Sequence, residues 1–346
     1  MPRAPRIPAP GTDPGLLGRE REREVLCAES AERRLVTVTG SAGVGKSRLA
    51  AAAAASVAAG LGPGGRLLRA DLGGLLAPEL LCGTLSRALD LPDLPGLSEL
   101  AALAHGLGGQ PTLLLLDGCE RAEGRAAPAI EYLLGACPEL TVLAAGRRAL
   151  GLDGEYLLPL PPLAEAPALE LLTERARRHG VPLEPDDGAR RNALALCHLL
   201  DHNPLAIELA ALRLRELPPH RLTTEVALPS GLLALAGTAL DGPGRPHRHR
   251  SLHAAAQWSH ELCTEPEMLL WARLSGLPSG FDLAEAHDCC ADPALPEPVL
   301  DAAWHGLLRG SVLVPDSAGY GRCRLPAVLR AYGREWLRTG RPAPGY

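Results

Sequence analysis

The octet at residues 40–47, Gly-Ser-Ala-Gly-Val-Gly-Lys-Ser, constrains the fold of this chain more than any other segment. It follows a β-rich run at 35–39 and precedes an alanine-rich stretch, 46–59, whose high helix propensity is ended by Gly60. Lys46 is the only lysine among the 35 Lys and Arg residues. The order strand, glycine loop, helix predicts an α/β domain with this loop at the carboxyl end of a parallel strand.

The octet fits G-x-x-x-x-G-K-[ST], the pattern of a phosphate-binding loop. In such a loop successive backbone N–H groups surround an anion, and the next helix directs its positive end at the same charge. Lys46 would bind phosphate as a compact ammonium, and Ser47 would supply a hydroxyl to Mg²⁺. The alternative is an ordinary glycine-rich turn. The predicted phosphate-binding residues are Ser41, Ala42, Gly43, Val44, Gly45, Lys46, Ser47 and Arg48.

A second motif is the run of four leucines at 113–116 that ends in Asp117. A fully buried strand that delivers one carboxylate at its carboxyl end is typical of the Walker B position. We expect Asp117 to hold Mg²⁺ together with Ser47. The alternative is that Asp117 only caps a helix.

A third motif is the apolar run 140–145 followed by Gly146 and Arg147. A strand that ends in Gly-Arg places a guanidinium at the carboxyl edge of the sheet, where it could contact a third phosphate. The alternative for any single arginine is a solvated surface charge, and we assign that role to Arg148.

The rest of the chain predicts an α/β P-loop NTPase with a parallel sheet, followed by an all-α helical domain and a winged-helix domain. Strands are expected at 35–39, 66–70, 112–116, 140–145 and 155–158, a hairpin at 311–315 and 320–325, and a last helix at 326–338. The predicted domains are a disordered tail (1–14), a nucleotide-binding domain (15–162), a helical domain (163–235), a winged-helix domain (236–340) and a tail (341–346).

Composition limits the partners of the chain. The net charge of −5 argues against a protein that coats nucleic acid along its whole length. The nine cysteines form no metal-binding spacing and are expected to be reduced thiols. The N-terminus has no signal-peptide core, and no apolar run approaches a membrane span, so we expect a soluble, cytoplasmic protein.

The motifs together resemble the STAND class of NTPases, and within it the NB-ARC-type ATPase core of LuxR-like and SARP-like bacterial transcriptional regulators. The resemblance covers residues 15–338 and rests on 17–20, the glycine loop, 116–120, 145–147, 203–210, 248–259 and 320–337. It implies ADP or ATP with Mg²⁺ as cofactors. It also implies that Leu17, Gly18 and Arg19 lie near the base and ribose, that Pro204 packs on adenine, and that the last two domains are ARC1-like and ARC2-like.

The chain departs from the family at positions that matter for hydrolysis. Gly118 follows Asp117 where a polar residue is common, so the nearest residue that could position water is Glu120, which could equally be an exposed acid. His202 replaces the family's glycine, either as a helix-start residue or as a polar contact to nucleotide.

We therefore expect a slow ATPase that acts as a regulatory switch between ATP-bound and ADP-bound states, with protein partners or oligomerisation on activation. One alternative is a regulator that binds DNA through the arginines of its winged-helix segment, which could also be a solvated face or contact the first domain. Those arginines are Arg322, Arg324, Arg330, Arg334 and Arg338. The other alternative is a non-hydrolysing scaffold that binds nucleotide.

Overall fold

The computed structural model describes residues 16–73, 82–83, 85–86, 98–119, 126–183, 186–236, 249–278, 280–316, 319 and 321–340. The predicted tails, 1–14 and 341–346, and Glu120 lie outside the described residues. The chain divides into two compact units. The sheet unit contains the described residues of 16–40 and 45–160, and the helical unit contains those of 161–340 together with loop residues 41–44.

Five parallel strands form the sheet of the sheet unit, in the order β2-β3-β4-β1-β5. The strands are β1 (Leu35–Thr39), β2 (Arg66–Asp71), β3 (Thr112–Asp117), β4 (Leu140–Ala145) and β5 (Tyr156–Pro159). The helices of this unit include α1 (Glu20–Glu32), α2 (Lys46–Ala59), α3 (Glu99–Leu107) and α4 (Ala126–Ala136). Because all strands run in the same direction, the segments that follow them emerge at one edge of the sheet.

Both faces of the sheet are covered, which explains the uninterrupted leucine run of β3. Leu114 and Leu116 belong to a buried cluster with Leu103 of α3 and Ile130 of α4. The intervening leucines of β3 point to the opposite face because side chains alternate along a strand. There α2 packs against β3 and β4.

The helical unit consists mainly of helices. They are α5 (Glu165–Arg178), α6 (Asp187–Leu199), α7 (Pro204–Arg213), α8 (Pro219–Val226), α9 (Pro229–Leu233), α10 (Leu252–Glu261), α11 (Glu265–Leu274), α12 (Leu283–Cys290), α13 (Glu297–Arg309) and α14 (Ala327–Thr339). Two short antiparallel strands, β6 (Val314–Pro315) and β7 (Cys323–Arg324), lie between α13 and α14.

The predicted strands at 35–39 and 140–145 and the helix at 46–59 are confirmed. β2 and β3 each run one residue further than predicted, because Asp71 and Asp117 remain paired with each other in the sheet register. β5 begins and ends one residue later than predicted. The last helix covers 327–339 instead of 326–338.

The predicted strand at 311–315 is wrong over residues 311–313. α13 ends there in a Schellman turn, with Ser311 in the left-handed region at φ 53° and the Val312 N–H donating to the Leu307 carbonyl at 2.9 Å. Glycine is the usual residue at such a position, so a serine there gives no stop signal in the sequence. In the partner strand only 323–324 pair within the predicted range, and Tyr320 lies outside the described residues.

Candidate functional site

The glycine loop has the backbone conformation that its glycines permit. Gly40, Gly43 and Gly45 have φ of 147°, 77° and 102°, a region that residues with a Cβ rarely enter. Gly45 is the N-cap of α2 and supplies no side chain to cap it. The first turn of α2 therefore keeps the N-terminal amide groups and positive dipole end that favour an anion.

The two predicted Mg²⁺ ligands meet at the end of this loop. Ser47 Oγ donates to Asp117 Oδ1 at 2.7 Å, although the two residues are 70 positions apart. Asp117 Oδ1 also accepts from the Gly118 N–H at 2.8 Å. Adjacent oxygens around an octahedral Mg²⁺ with bonds of 2.0–2.1 Å lie about 2.9 Å apart. The hydroxyl and carboxylate therefore fit a magnesium ion in both donor type and spacing.

Lys46 lies on the same loop, where its Nζ donates to the carbonyl of Gly40 at 2.8 Å. The Lys46 side chain thus folds back over the loop in which it is predicted to bind phosphate. Arg48, the last residue of the predicted phosphate-binding set, is exposed on the first turn of α2.

A second carboxylate at this edge of the sheet was missed by the sequence reasoning. Asp71 ends β2 and pairs in register with Asp117 on the adjacent strand. Its Oδ1 accepts from the Gly73 N–H at 2.9 Å. The signal was an acid directly after the strand predicted at 66–70, which in a parallel sheet must emerge beside the acid after 112–116.

Gly118 leaves no room for a side chain after Asp117. Its φ is +70°, and a Cβ would lie 2.5 Å from the Gly73 nitrogen. Position 118 therefore cannot hold a residue that orients water, and Glu120 lies outside the described residues.

The arginine predicted to contact a third phosphate is buried. Arg147 follows β4 at the carboxyl edge of the sheet and is 6% exposed, whereas Arg148 is half-buried. The alternative of a solvated surface charge therefore fails for Arg147. Near the start of α1, Arg19 is 4% exposed and pairs with Glu22 at 2.7 Å. Leu17 and Gly18 precede it and are half-buried.

Within the helical unit, the start of α7 contacts loop residues 42 and 43. Asn203 Nδ2 donates to the Ala42 carbonyl at 2.8 Å, and the Leu205 N–H donates to the Gly43 carbonyl at 3.2 Å. Next to these contacts is a small, mainly apolar cleft, lined in part by Ser41, Ala42, Asn203, Leu252, Ala255 and Leu329. Pro204 is the first residue of α7 and is not among the lining residues.

His202 lies in the turn between α6 and α7, directly before Asn203, the N-cap of α7. Its φ is +51°, and its Nε2 is buried with no hydrogen-bond partner in the described part of the chain. Burial, and after it the nearby His198, lowers the pKa of His202. Asp201 before it also has φ +51°, so the turn contains two consecutive left-handed residues that are not glycine.

Three of the five arginines that could bind DNA contact other residues of the helical unit. Arg322 Nε donates to the Gly280 carbonyl at 2.9 Å, and its Nη2 pairs with Glu285 at 2.8 Å. Arg324 pairs with Asp201 at 3.2 Å, and Arg334 Nε donates to the Ser275 carbonyl at 2.7 Å. These contacts favour a structural role for the three side chains.

Within the part of the chain that the structure describes, no helix is both long enough and apolar enough to span a membrane.

Comparison with known proteins identifies relatives in mycobacteria, and no protein-family model matches the chain. Proteins of Mycobacterium bovis and Mycobacterium tuberculosis, named as candidate HTH-type transcriptional regulators, are 37% identical over 313 residues, which is 89% of this chain and 34% of theirs. The chain thus spans about a third of their length. A second protein of the same two species, named only as uncharacterized, is 36% identical over 269 residues, 77% of this chain and 66% of its own.

Among solved structures, the Walker-type ATPase of Pyrococcus abyssi matches with a TM-score of 0.59 and 18% identity, over 92% of this chain and 96% of that protein. At this identity the likeness concerns the fold. The parallel sheet, the glycine loop and the buried strand that ends in Asp117 are accordingly those of a P-loop NTPase fold.

Proposed function

We propose that this chain binds ADP or ATP with Mg²⁺ at residues 40–47 and acts as a nucleotide-dependent switch in transcription or signalling. The observation that carries the proposal is the Ser47–Asp117 contact of 2.7 Å at the end of the glycine loop. It brings two hard oxygen ligands together beside a helix N-terminus and the only lysine of the chain.

The regulatory part of the proposal is supported by the relatives. Those named as candidate HTH-type regulators contain a region 37% identical to this chain within a longer protein. A nucleotide-binding segment inside such a protein would control the rest of that protein.

In this proposal Lys46 and the loop amides hold the phosphates, Ser47 and Asp117 hold the metal, and Arg147 contacts the third phosphate. Mg²⁺ would neutralise phosphate charge when bound. Gly118 supports slow hydrolysis, because the position next to Asp117 can supply no group that orients water and leaves that task to the more distant Glu120. A protein that binds ATP without releasing phosphate would be the scaffold alternative.

The test is titration calorimetry with Mg·ADP and Mg·ATP on three variants. Lys46→Ala is expected to weaken binding at least tenfold. Lys46→Arg is expected to weaken it similarly, because a planar guanidinium cannot replace a compact ammonium inside the loop. Arg21→Ala removes one exposed charge from α1 of the same unit and is the matched control, with an expected change below twofold.

Equal affinities for the wild type and Lys46→Ala would contradict the proposal. Phosphate release measured on the same samples tests the slow turnover. A rate near the enzyme median of about 10 s⁻¹ would contradict a switch that persists in one nucleotide state.

A further inference from the structure

Two groups at the start of α7, Asn203 Nδ2 and the Leu205 N–H, donate hydrogen bonds to the glycine loop. Their acceptors are two successive carbonyl groups, those of Ala42 and Gly43. In a planar trans peptide the C=O of one residue and the N–H of the next point in opposite directions. The amides of Gly43 and Val44 are therefore turned away from α7. Successive amide groups that point to the same side form the concave nest that binds an anion.

The glycine loop and the start of α7 are packed too closely to accommodate a Cβ on Gly43. A Cβ on Gly43 would lie 2.7 Å from both Asn203 Oδ1 and Leu205 Cβ, and the φ of Gly43 is +77°. The loop backbone thus lies directly against the helix start. A shift of the loop peptides must change the hydrogen bonds to Asn203 and Leu205.

Asn203 performs two tasks with two different atoms. Its Oδ1 caps α7 by accepting from the N–H groups of Leu205 at 3.1 Å and Ala206 at 3.3 Å. Its Nδ2 donates to the loop. Aspartate caps a helix as well as asparagine does but has no donor when ionised, so the two tasks can be separated by one substitution.

The same turn also holds the start of α14. The Asp201 carboxylate accepts from the N–H of Ala327, the first residue of α14, and pairs with Arg324 at 3.2 Å. The turn backbone is fixed between them, since the His202 N–H donates to the Cys197 carbonyl at 2.9 Å and the His202 carbonyl accepts from Leu163 at 3.2 Å. Asn203 therefore contacts the loop, and Asp201, two residues earlier in the chain, contacts α14.

We propose that Asn203 is a positioning residue that keeps the glycine loop in its anion-accepting shape, and that the turn 201–203 transmits the occupancy of the loop to α14. The inference rests on the nucleotide binding proposed above. A phosphate bound to the loop amides changes the freedom of motion of the peptides whose carbonyls accept from Asn203 and Leu205. The fixed turn passes this change to the Asp201 contact with Ala327.

The first test compares Mg·ADP affinities of the wild type, Asn203→Asp and Asp186→Ala. Asp186 caps α6 in the same unit, accepting from the Ala189 N–H at 2.8 Å, and is the control for loss of a helix cap. Asn203→Asp is expected to bind at least tenfold more weakly, with its Tm no lower than that of Asp186→Ala. Asp186→Ala is expected to bind within twofold of the wild type.

Wild-type affinity in Asn203→Asp would overturn the inference and leave the proposed function intact. A wild type that does not bind Mg·ADP would instead overturn the proposed function. An equal loss of affinity in Asp186→Ala would assign the effect to helix capping and would also overturn the inference.

The second test measures hydrogen exchange of residues 327–330 with and without saturating Mg·ADP, so that affinity differences do not interfere. The wild type is expected to change its exchange rate in this segment at least threefold. Asn203→Asp is expected to show less than half of that change. No change in the wild type, or an undiminished change in the variant, would refute transmission through the turn.

Discussion

His202→Gly is expected to stabilise the helical unit, an unusual result for the removal of a half-buried side chain. A residue with a Cβ in the left-handed region costs about 1–2 kcal/mol, and His202 has φ +51°. Its buried Nε2 without a partner in the described chain adds part of the 1–3 kcal/mol typical of an unsatisfied polar group. Against this, glycine costs about 0.5–1 kcal/mol through the freedom of the unfolded chain.

Loss of the ring also removes its contact with His198, whose ring centroid is 4.7 Å away. We assign about 1 kcal/mol to that loss of packing. The net expectation for His202→Gly is a gain of about 1 kcal/mol, or roughly 2–4 °C in Tm for a unit of this size. His202→Ala removes the same ring but keeps a Cβ, so glycine should exceed alanine by about 1 kcal/mol.

Urea unfolding followed by tryptophan fluorescence is the suitable assay, because Trp258, Trp271, Trp304 and Trp336 all lie in the helical unit. The matched control is His198→Gly in the last turn of α6, where glycine should destabilise by about 1 kcal/mol. The reasoning is refuted if His202→Gly is no more stable than His202→Ala.

Two further predictions concern the same unit and the same assay. Glu208→Ala should cost about 1.5–2 kcal/mol, because it removes the buried carboxylate 3.2 Å from the Arg175 guanidinium, which is 8% exposed, while Glu174 still pairs with Arg175 at 2.8 Å. The double variant Arg175→Met, Glu208→Leu should cost less than the single one, and a harmless Glu208→Ala would contradict the role of this pair. Burial lowers the pKa of His260, so its stability contribution is complete above the unfolded pKa of about 6.5 and is lost as the pH falls below it. Between pH 7.5 and 5.5 this histidine should account for at most about 1.4 kcal/mol, and His260→Phe should reduce the pH dependence; an unchanged dependence would contradict the assignment.

The sheet and its loop could be predicted because local and long-range signals agree there. The β-rich run at 35–39, the left-handed glycines and the alanine-rich helix each specify their own conformation, and the position of Asp117 follows from strand direction alone. Ser47 and Asp117 could thus be matched across 70 residues.

The turns of the helical unit could not be predicted for a physical reason. Ser311, Asp201 and His202 adopt a left-handed conformation that glycine usually occupies, and at 311–313 the sequence favours a strand instead of a turn. The turn at 201–202 is held by hydrogen bonds to distant partners, such as Leu163 and Ala327. No local sequence pattern reveals these partners. In the sequence Asn203 stands out only as part of the run 203–210, because its contact with Ala42 joins residues 161 positions apart.

The most direct test of the central claim is a calorimetric comparison of AMP, ADP and ATP with and without Mg²⁺. If the glycine loop grips the phosphate chain, ADP should bind at least tenfold more tightly than AMP, and Lys46→Ala should remove most of that difference. Equal affinity for AMP and ADP in the wild type, or no binding of any of the three, would contradict the account.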